Sequence, residues 1–334
     1  MTAVTAPDAP AGPSGSGNPV LDRIRALPPT MRQQTLFGLI LLAMFVGSMP
    51  FVAQMRDADY LMLQLATYSA VLVMALGQTF VVLQVGFDLS TGAVQGFTGG
   101  LVYLLVGRGF TDGLMIVACL VAATAIGAIV HGLLITRARM NYFIVTLATY
   151  TILPSLLRVI LDGASKPVHS PALDTLANGE VLGIRTPIIV AAVVFAVLWV
   201  VLNRTVFGRN VYAVGSNREA ARLAGLPVTA ITMACYGICS LCAGIAGLLL
   251  LGNLGAADPS AGIGNEFFAL TAVLLGGTRF SGGQGSLFGT LLGILFLVVL
   301  ANILLLSGMP QFWIGAVQGV VLLVAVGIDR ARRD

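Results

Sequence analysis

Ten apolar segments divide the chain: 36–53, 60–85, 91–107, 114–136, 142–161, 187–203, 229–251, 265–278, 285–306 and 311–328. Most approach the roughly 20 residues that a helix rising about 1.5 Å per residue needs to cross about 30 Å of hydrocarbon. They are rich in Leu, Val, Ala and Gly, mostly free of charge, and lack the alternation of barrel strands. The pattern predicts an all-α, polytopic transmembrane helical bundle of about ten spans. Segment 265–278 is too short for a straight crossing, so it is expected to be tilted, broken or re-entrant.

Composition agrees with that pattern and adds an orientation. Hydrophobic residues make up 57% of the chain and charged residues only 10%, against about 25% charged in soluble domains, so the lipid bilayer is the expected solvent. The net charge of +4 comes almost wholly from arginine, since Lys166 is the only lysine. The arginines sit at segment ends and form no patch suited to nucleic acid. Arg23, Arg25 and Arg32 precede the first segment, and Arg137 and Arg139 follow the fourth. Arg204, Arg209, Arg218 and Arg222 follow the sixth, and Arg330, Arg332 and Arg333 follow the tenth. All are cytosolic if both termini are inside, as the positive-inside rule prefers. The largest periplasmic loop is then 162–186. Residues 1–35 are expected to be a cytosolic region: a disordered Pro/Ala/Gly/Ser tail over 1–17, then a short interfacial helix over 18–27. Residues 36–329 form the transmembrane domain and 330–334 a cytosolic tail.

The polar insert 204–228 is the most distinctive cytosolic feature. Ser216 and Glu219 have the spacing of a capping box, Gly225 suits the left-handed residue that ends a helix, and Pro227 stops continuation. The expected helix has about two turns, too few to be stable alone in water. Its Ala220, Leu223 and Ala224 share one face and need something to pack on, with Arg218 and Arg222 pointing elsewhere. A soluble partner is the expected answer.

Inside the apolar stretches, Gln78, Gln84, Asp88, Ser90 and Gln95 are candidates for a translocation path. Asp88 with Thr91 equally fits an N-cap of the third segment at the cytosolic interface, and the glutamines equally fit interhelical bridges. At the opposite, extracytoplasmic face, Asp258 and Glu266 in DPSAGIGNE are candidates for receiving a docked protein or lining an entrance, with solvated caps as the plainer reading. FSGGQ, within Gly276–Gly289, differs by one residue from the LSGGQ signature of ABC ATPases. No G-x-x-x-x-G-K-[ST] loop accompanies it, so it reads as a tight glycine turn. Cys119, Cys235, Cys239 and Cys242 lie in apolar segments and read as packing residues. His131 and His169 have no second ligand at metal spacing, and neither supports a metal or catalytic role. No acid, base and nucleophile fall at a spacing that suggests catalysis.

Five motifs in order carry a family resemblance: GFDLSTGAV (Gly86–Val94), FIVTLATYTI (Phe143–Ile152), FGRNVYAVGSNREAARLAGLPV (Phe207–Val228), GNEFFALTAVLLGGTRFSGGQGS (Gly264–Ser286) and the closing helix to Asp329. Together they resemble the ribose-type permease family of bacterial ABC importers over residues 60–329. The resemblance implies a multi-pass subunit of the bacterial inner membrane that pairs with a second permease copy or paralogue. It implies a monosaccharide or related small solute delivered by a periplasmic sugar-binding protein, and cytosolic ABC ATPase subunits that bind ATP and Mg, with no cofactor in this chain. Ser216, Arg218, Glu219, Ala220, Ala221, Arg222 and Gly225 then carry over as ATPase contacts of the coupling loop. Phe87 departs from the pattern, where a smaller aliphatic is expected. The competing readings are an ion-coupled secondary transporter, which needs ionisable residues within the spans, and a membrane-embedded enzyme, which needs a reactive pair.

Overall fold

The structure, a computed structural model, describes residues 29–331. The tail and interfacial helix expected over 1–27 lie outside the described residues. In chain order the helices are α1 (Pro29–Ser48), α2 (Ala58–Leu83), α3 (Thr91–Gly107), α4 (Asp112–Thr136), α5 (Tyr142–Ile160), α6 (Pro171–Asn178), α7 (Thr186–Arg204), α8 (Val206–Ser216), α9 (Arg218–Leu223), α10 (Val228–Leu254), α11 (Asn265–Leu275), α12 (Leu287–Leu306) and α13 (Gln311–Ala331). Six of them, α2, α4, α5, α7, α10 and α12, are long and apolar enough to cross a membrane. Shorter apolar helices cover Gln34–Ser48, Thr91–Gly107, Asn265–Leu275 and Trp313–Val324. The chain is thus a mostly helical membrane protein.

Helices α2 and α10 form the centre. Their apolar windows are 78% and 72% buried, against 22% for α4 and α7, whose outer faces expose Val117, Val121, Val193 and Val197. Such side chains suit contact with lipid, whereas the centre needs close protein packing. Small residues supply it. A Cβ on Gly77 would stand 2.7 Å from the Cβ of Cys242, so α2 and α10 approach closely only because that position is glycine. Helices α3 and α4 pack on other sides of α10, and α11 packs on α2 and α12 through buried Phe268, Ala269, Ala272 and Val273.

Helix α4 is continuous but carries a π-helical turn over Ile126–His131. There Gly127 lies so close to α10 that a Cβ would overlap the Tyr236 carbonyl and the Ser240 hydroxyl. Outside the helices, β1 (Lys166–Pro167) pairs antiparallel with β4 (Ala256–Ala257), and β2 (Glu180–Val181) with β3 (Ile184–Arg185). The first pair ties loop 162–186 to the segment after α10. Helix α6 completes that tie: Ser170 caps it, and Asp112 at the start of α4 accepts from Ser170 Oγ at 2.9 Å and Ala172 N at 3.1 Å.

Candidate functional site

The polar insert folds into two helices rather than one. Thr205 Oγ1 caps α8 by accepting from Gly208 N at 3.2 Å. Val211 and Val214 are buried, and Phe207 stacks on Phe80 of α2 with ring centroids 6.4 Å apart. The i, i+4, i+7 spacing of those three apolar residues was the available signal for α8. The chain then bends at Asn217, whose Oδ1 accepts from Ala220 N at 2.9 Å and caps α9. The capping-box expectation is therefore corrected. Ser216 ends α8, its hydroxyl donating to the Tyr212 carbonyl at 2.8 Å, because the extended backbone of Asn217 aims a better acceptor at the α9 amides. Gly225 does terminate α9, at φ +81°.

Of the residues in α9, Ala221 alone is buried, against α10 and its neighbours. Arg218, Glu219, Ala220, Arg222, Leu223, Ala224 and Gly225 are exposed, Leu223 by 81%. The face carrying Ala220, Leu223 and Ala224 is thus open. Beside it lies a cleft of about 960 Å³ whose lining includes Arg218, Arg222, Arg137, Arg139 and Tyr142. Sequence reading treated Arg137 and Arg139 only as markers of orientation. The fold brings the connection between α4 and α5 against the start of α10, and so gathers four arginines from two distant parts of the chain.

Inward from α9, the insert touches the connector between α2 and α3. Gly215 packs on the Leu83 carbonyl so closely that a Cβ would overlap it, and Gly283 N donates to the same oxygen at 2.9 Å. Gly282 and Gly283 hold left-handed φ values of +75° and +69° in the turn that carries FSGGQ. Tyr212 OH donates to Gly285 O at 2.9 Å, fastening α8 to that turn.

The five path candidates are all enclosed. Gln78 Oε1 accepts from Cys239 Sγ at 3.2 Å. Gln84 Nε2 donates to Cys235 Sγ at 2.6 Å, while its Oε1 accepts from Thr232 Oγ1 at 3.0 Å. Gln95 Oε1 accepts from Asn265 Nδ2 at 2.9 Å. The glutamines therefore bridge α2 and α3 to α10 and α11 in this conformation. The four cysteines are free and buried.

Asp88 does not cap α3. Its Oδ1 accepts from Ser90 N at 2.8 Å and Ser90 Oγ at 2.6 Å, and its Oδ2 lies 3.5 Å from His131 Nδ1 on α4. Ser90 is the residue before α3, and its side chain makes no cap bond. His131 was set aside in the sequence because no ligand lay nearby; the π-helical turn brings it to Asp88, 43 residues earlier, by a route no spacing rule describes. Phe87 fits its site by edge-on contacts with Tyr142, Phe143 and Phe280, at centroid distances of 5.2, 5.9 and 5.5 Å.

Asp258 and Glu266 are not brought together. Asp258 lies in the turn after β4 and accepts from Ser260 N at 2.8 Å, Ser260 Oγ at 2.5 Å and Ser165 Oγ at 2.7 Å. Those hydrogen bonds, Ser260's hydroxyl first, hold its carboxyl below the usual carboxylate range. Glu266 is 1% exposed, accepts from Gly264 N at 3.0 Å, and lies against Gly92, where a Cβ would overlap its carboxylate. It starts the short helix α11 deep beside the first turn of α3 rather than at an open rim.

A bundle of long apolar helices, with an exposed two-helix polar insert packed on the end of its central helix α2, is the architecture of a multi-pass membrane protein. The chain belongs to the family described as branched-chain amino acid transport system / permease component, which matches residues 61–326. It is 38% identical over 264 residues to the ribose import permease protein RbsC of Bacillus subtilis (strain 168), covering 78% of this chain and 81% of that one. It is 34% identical over 309 residues to RbsC of Escherichia coli (strain K12), covering 91% and 95%. The L-arabinose ABC transporter permease protein AraH of Azospirillum brasilense is 32% identical over 296 residues, covering 89% and 86%. No solved structure matches significantly.

Proposed function

We propose that this chain is the permease subunit of an ATP-driven importer in the bacterial inner membrane, passing a monosaccharide or related small polar solute. The observation that carries the reading is the open α9 face: Ala220, Leu223 and Ala224 are exposed on a helix of six residues, which needs a partner to pack on. The neighbouring basic cleft favours an acidic surface on that partner. An ABC ATPase that binds ATP and Mg fits both features. Membership in the permease family and the sugar permeases among its relatives support the substrate class.

In this reading both termini are cytosolic, all ten apolar segments cross or enter the bilayer, and a second permease copy or paralogue completes the conduit. A periplasmic sugar-binding protein docks near Asp258 and loop 162–186. ATP-driven closure of the ATPases moves α8 and α9 as a lever. Because Gly215 and Gly283 both meet the Leu83 carbonyl, that motion reaches the connector between α2 and α3 directly. The bridges made by Gln78, Gln84 and Gln95 then open and close the path, with Asp88 and Ser90 at its inner end and Glu266 enclosed beside α3. Transport, with no reaction of its own, is the activity.

The test is Leu223→Glu, with Glu219→Ala beside it. Since Leu223 is 81% exposed, its substitution leaves folding within about 0.5 kcal/mol of wild type. Co-purification of the ATPase and solute uptake are both expected to fall at least about tenfold in Leu223→Glu, a loss of about 1.4 kcal/mol or more in association. Undiminished ATPase association in both variants would end the assignment of α9 as the coupling helix.

A further inference from the structure

Asp88 and His131 form the one ion pair enclosed within the bundle among the described residues, with both side chains at 0% exposure. Counting protons shows what the pair must hold. Thr149 Oγ1 lies 3.1 Å from the Val145 carbonyl and 3.0 Å from His131 Nε2, and its single hydrogen serves one or the other. Nδ1 faces Asp88 Oδ2 at 3.5 Å, and neither atom has another hydrogen-bond partner. A bare Nδ1 lone pair against a bare carboxylate would leave two buried acceptors opposed. A hydrogen therefore belongs on Nδ1, facing Oδ2.

We propose that His131 directs an Nδ1 hydrogen at the Asp88 carboxylate, and that the pair is a positioning site of the transport cycle, pinning the Gln84–Ser90 connector to α4. The inference rests on the transport reading above. The connector is fastened at each step. Leu83 O meets Gly283 N and Gly215, Gln84 bonds Thr232 and Cys235, Phe87 wedges among three aromatic rings, and Asp88 reaches His131. Motion of α8 therefore enters at Leu83, the last residue of α2, and Asp88 marks where the connector that follows is held. The π-helical turn of α4 serves this attachment: one widened turn changes the direction of His131 relative to a regular helix, aiming it inward. The other titratable groups facing the pair are Tyr236 and Cys239 on α10, with Cys235 and Tyr142 beyond them around Tyr236. All are uncharged in their protonated forms. The Tyr236 hydroxyl, buried and without a hydrogen-bond partner, sits at Gly86, where a Cβ would come within 2.9 Å of it. The proton stays in place through the cycle; solute movement draws no proton across the membrane.

The chain contains two histidines, so His169→Gln in the exposed outer loop leaves His131 as the single reporter. In the full chain, ¹⁵N-histidine-labelled and held in lipid nanodiscs, a hydrogen on His131 Nδ1 is expected. An Nδ1 free of any hydrogen would overturn the proposal. In the assembled transporter, Asp88→Asn and His131→Gln are each expected to cut uptake about tenfold or more, while ATP hydrolysis changes less than about twofold. The double variant, with no lone charge, is expected to regain at least about half of the uptake. Proportional loss of uptake and hydrolysis, or no rescue, would reduce the pair to packing. Uptake abolished by an uncoupler at constant ATP would show the proton to be cargo and overturn the fixed-proton claim. Uptake by the wild-type chain without any ATPase would instead sink the importer reading and leave the NMR result standing.

Discussion

The connector Gln84–Ser90 and the helix α9 are both short polar interruptions of an apolar chain, and the fold treats them in opposite ways. Asp88 is 0% exposed and Leu223 is 81% exposed. Within the bundle few polar partners are at hand, so Gln84, Asp88 and Ser90 bond to neighbouring side chains and backbone. At α9 the reverse holds: charges stay solvated, and an apolar face remains open for another protein. Polarity alone does not distinguish a buried fastening from a docking handle; the partners of each side chain do.

That contrast can be broken most forcefully where the two regions meet. Gly215→Val would drive a side chain into the Leu83 carbonyl and the Gly283 backbone, which cannot swing aside as a flexible side chain would. A loss of about 1–3 kcal/mol or more is expected, read as a lowered Tm of the solubilised chain. An unchanged Tm would mean that α8 and the connector are not in rigid contact. A smaller effect separates the two possible caps of α9. Asn217→Ala is expected to cost about 1 kcal/mol and raise amide exchange within α9, whereas Ser216→Ala stays within about 0.5 kcal/mol. The reverse ranking would restore Ser216 as the cap. The smallest effect lies at the outer turn. Because the folded state lowers the pKa of Asp258, its contribution to stability is present at neutral pH and is lost as pH falls through and below about 4. Asp258→Asn should flatten that acid limb of the stability profile slightly, and a steeper limb would contradict the hydrogen bonds from Ser260 and Ser165.

Much of this architecture is legible in residue order. Each of the ten apolar segments corresponds to a helix, and the brevity of 265–278 is that of α11, Asn265–Leu275. Hydrophobic length fixes such elements because a bilayer leaves a helix few alternatives. Gly225 as a stop was legible for a similarly local reason: only glycine takes φ +81° without penalty. The division of 204–228 into α8 and α9 was harder, since it depends on which of two adjacent residues, Ser216 or Asn217, has the extended backbone that a cap requires.

The sequence by itself determined the membrane class, the helical segments, and the place of the polar insert between the sixth and seventh of them, because those follow from short-range hydrophobicity and charge. Only the tertiary structure decided that Gln78, Gln84 and Gln95 bridge helices, that four arginines share a cleft, that Glu266 is enclosed beside Gly92, and that His131 faces Asp88. Those outcomes depend on which helix faces stand opposite one another, and on a π-helical turn that aims His131 inward. Such pairings are set by close packing across many residues of intervening chain, which no local pattern encodes.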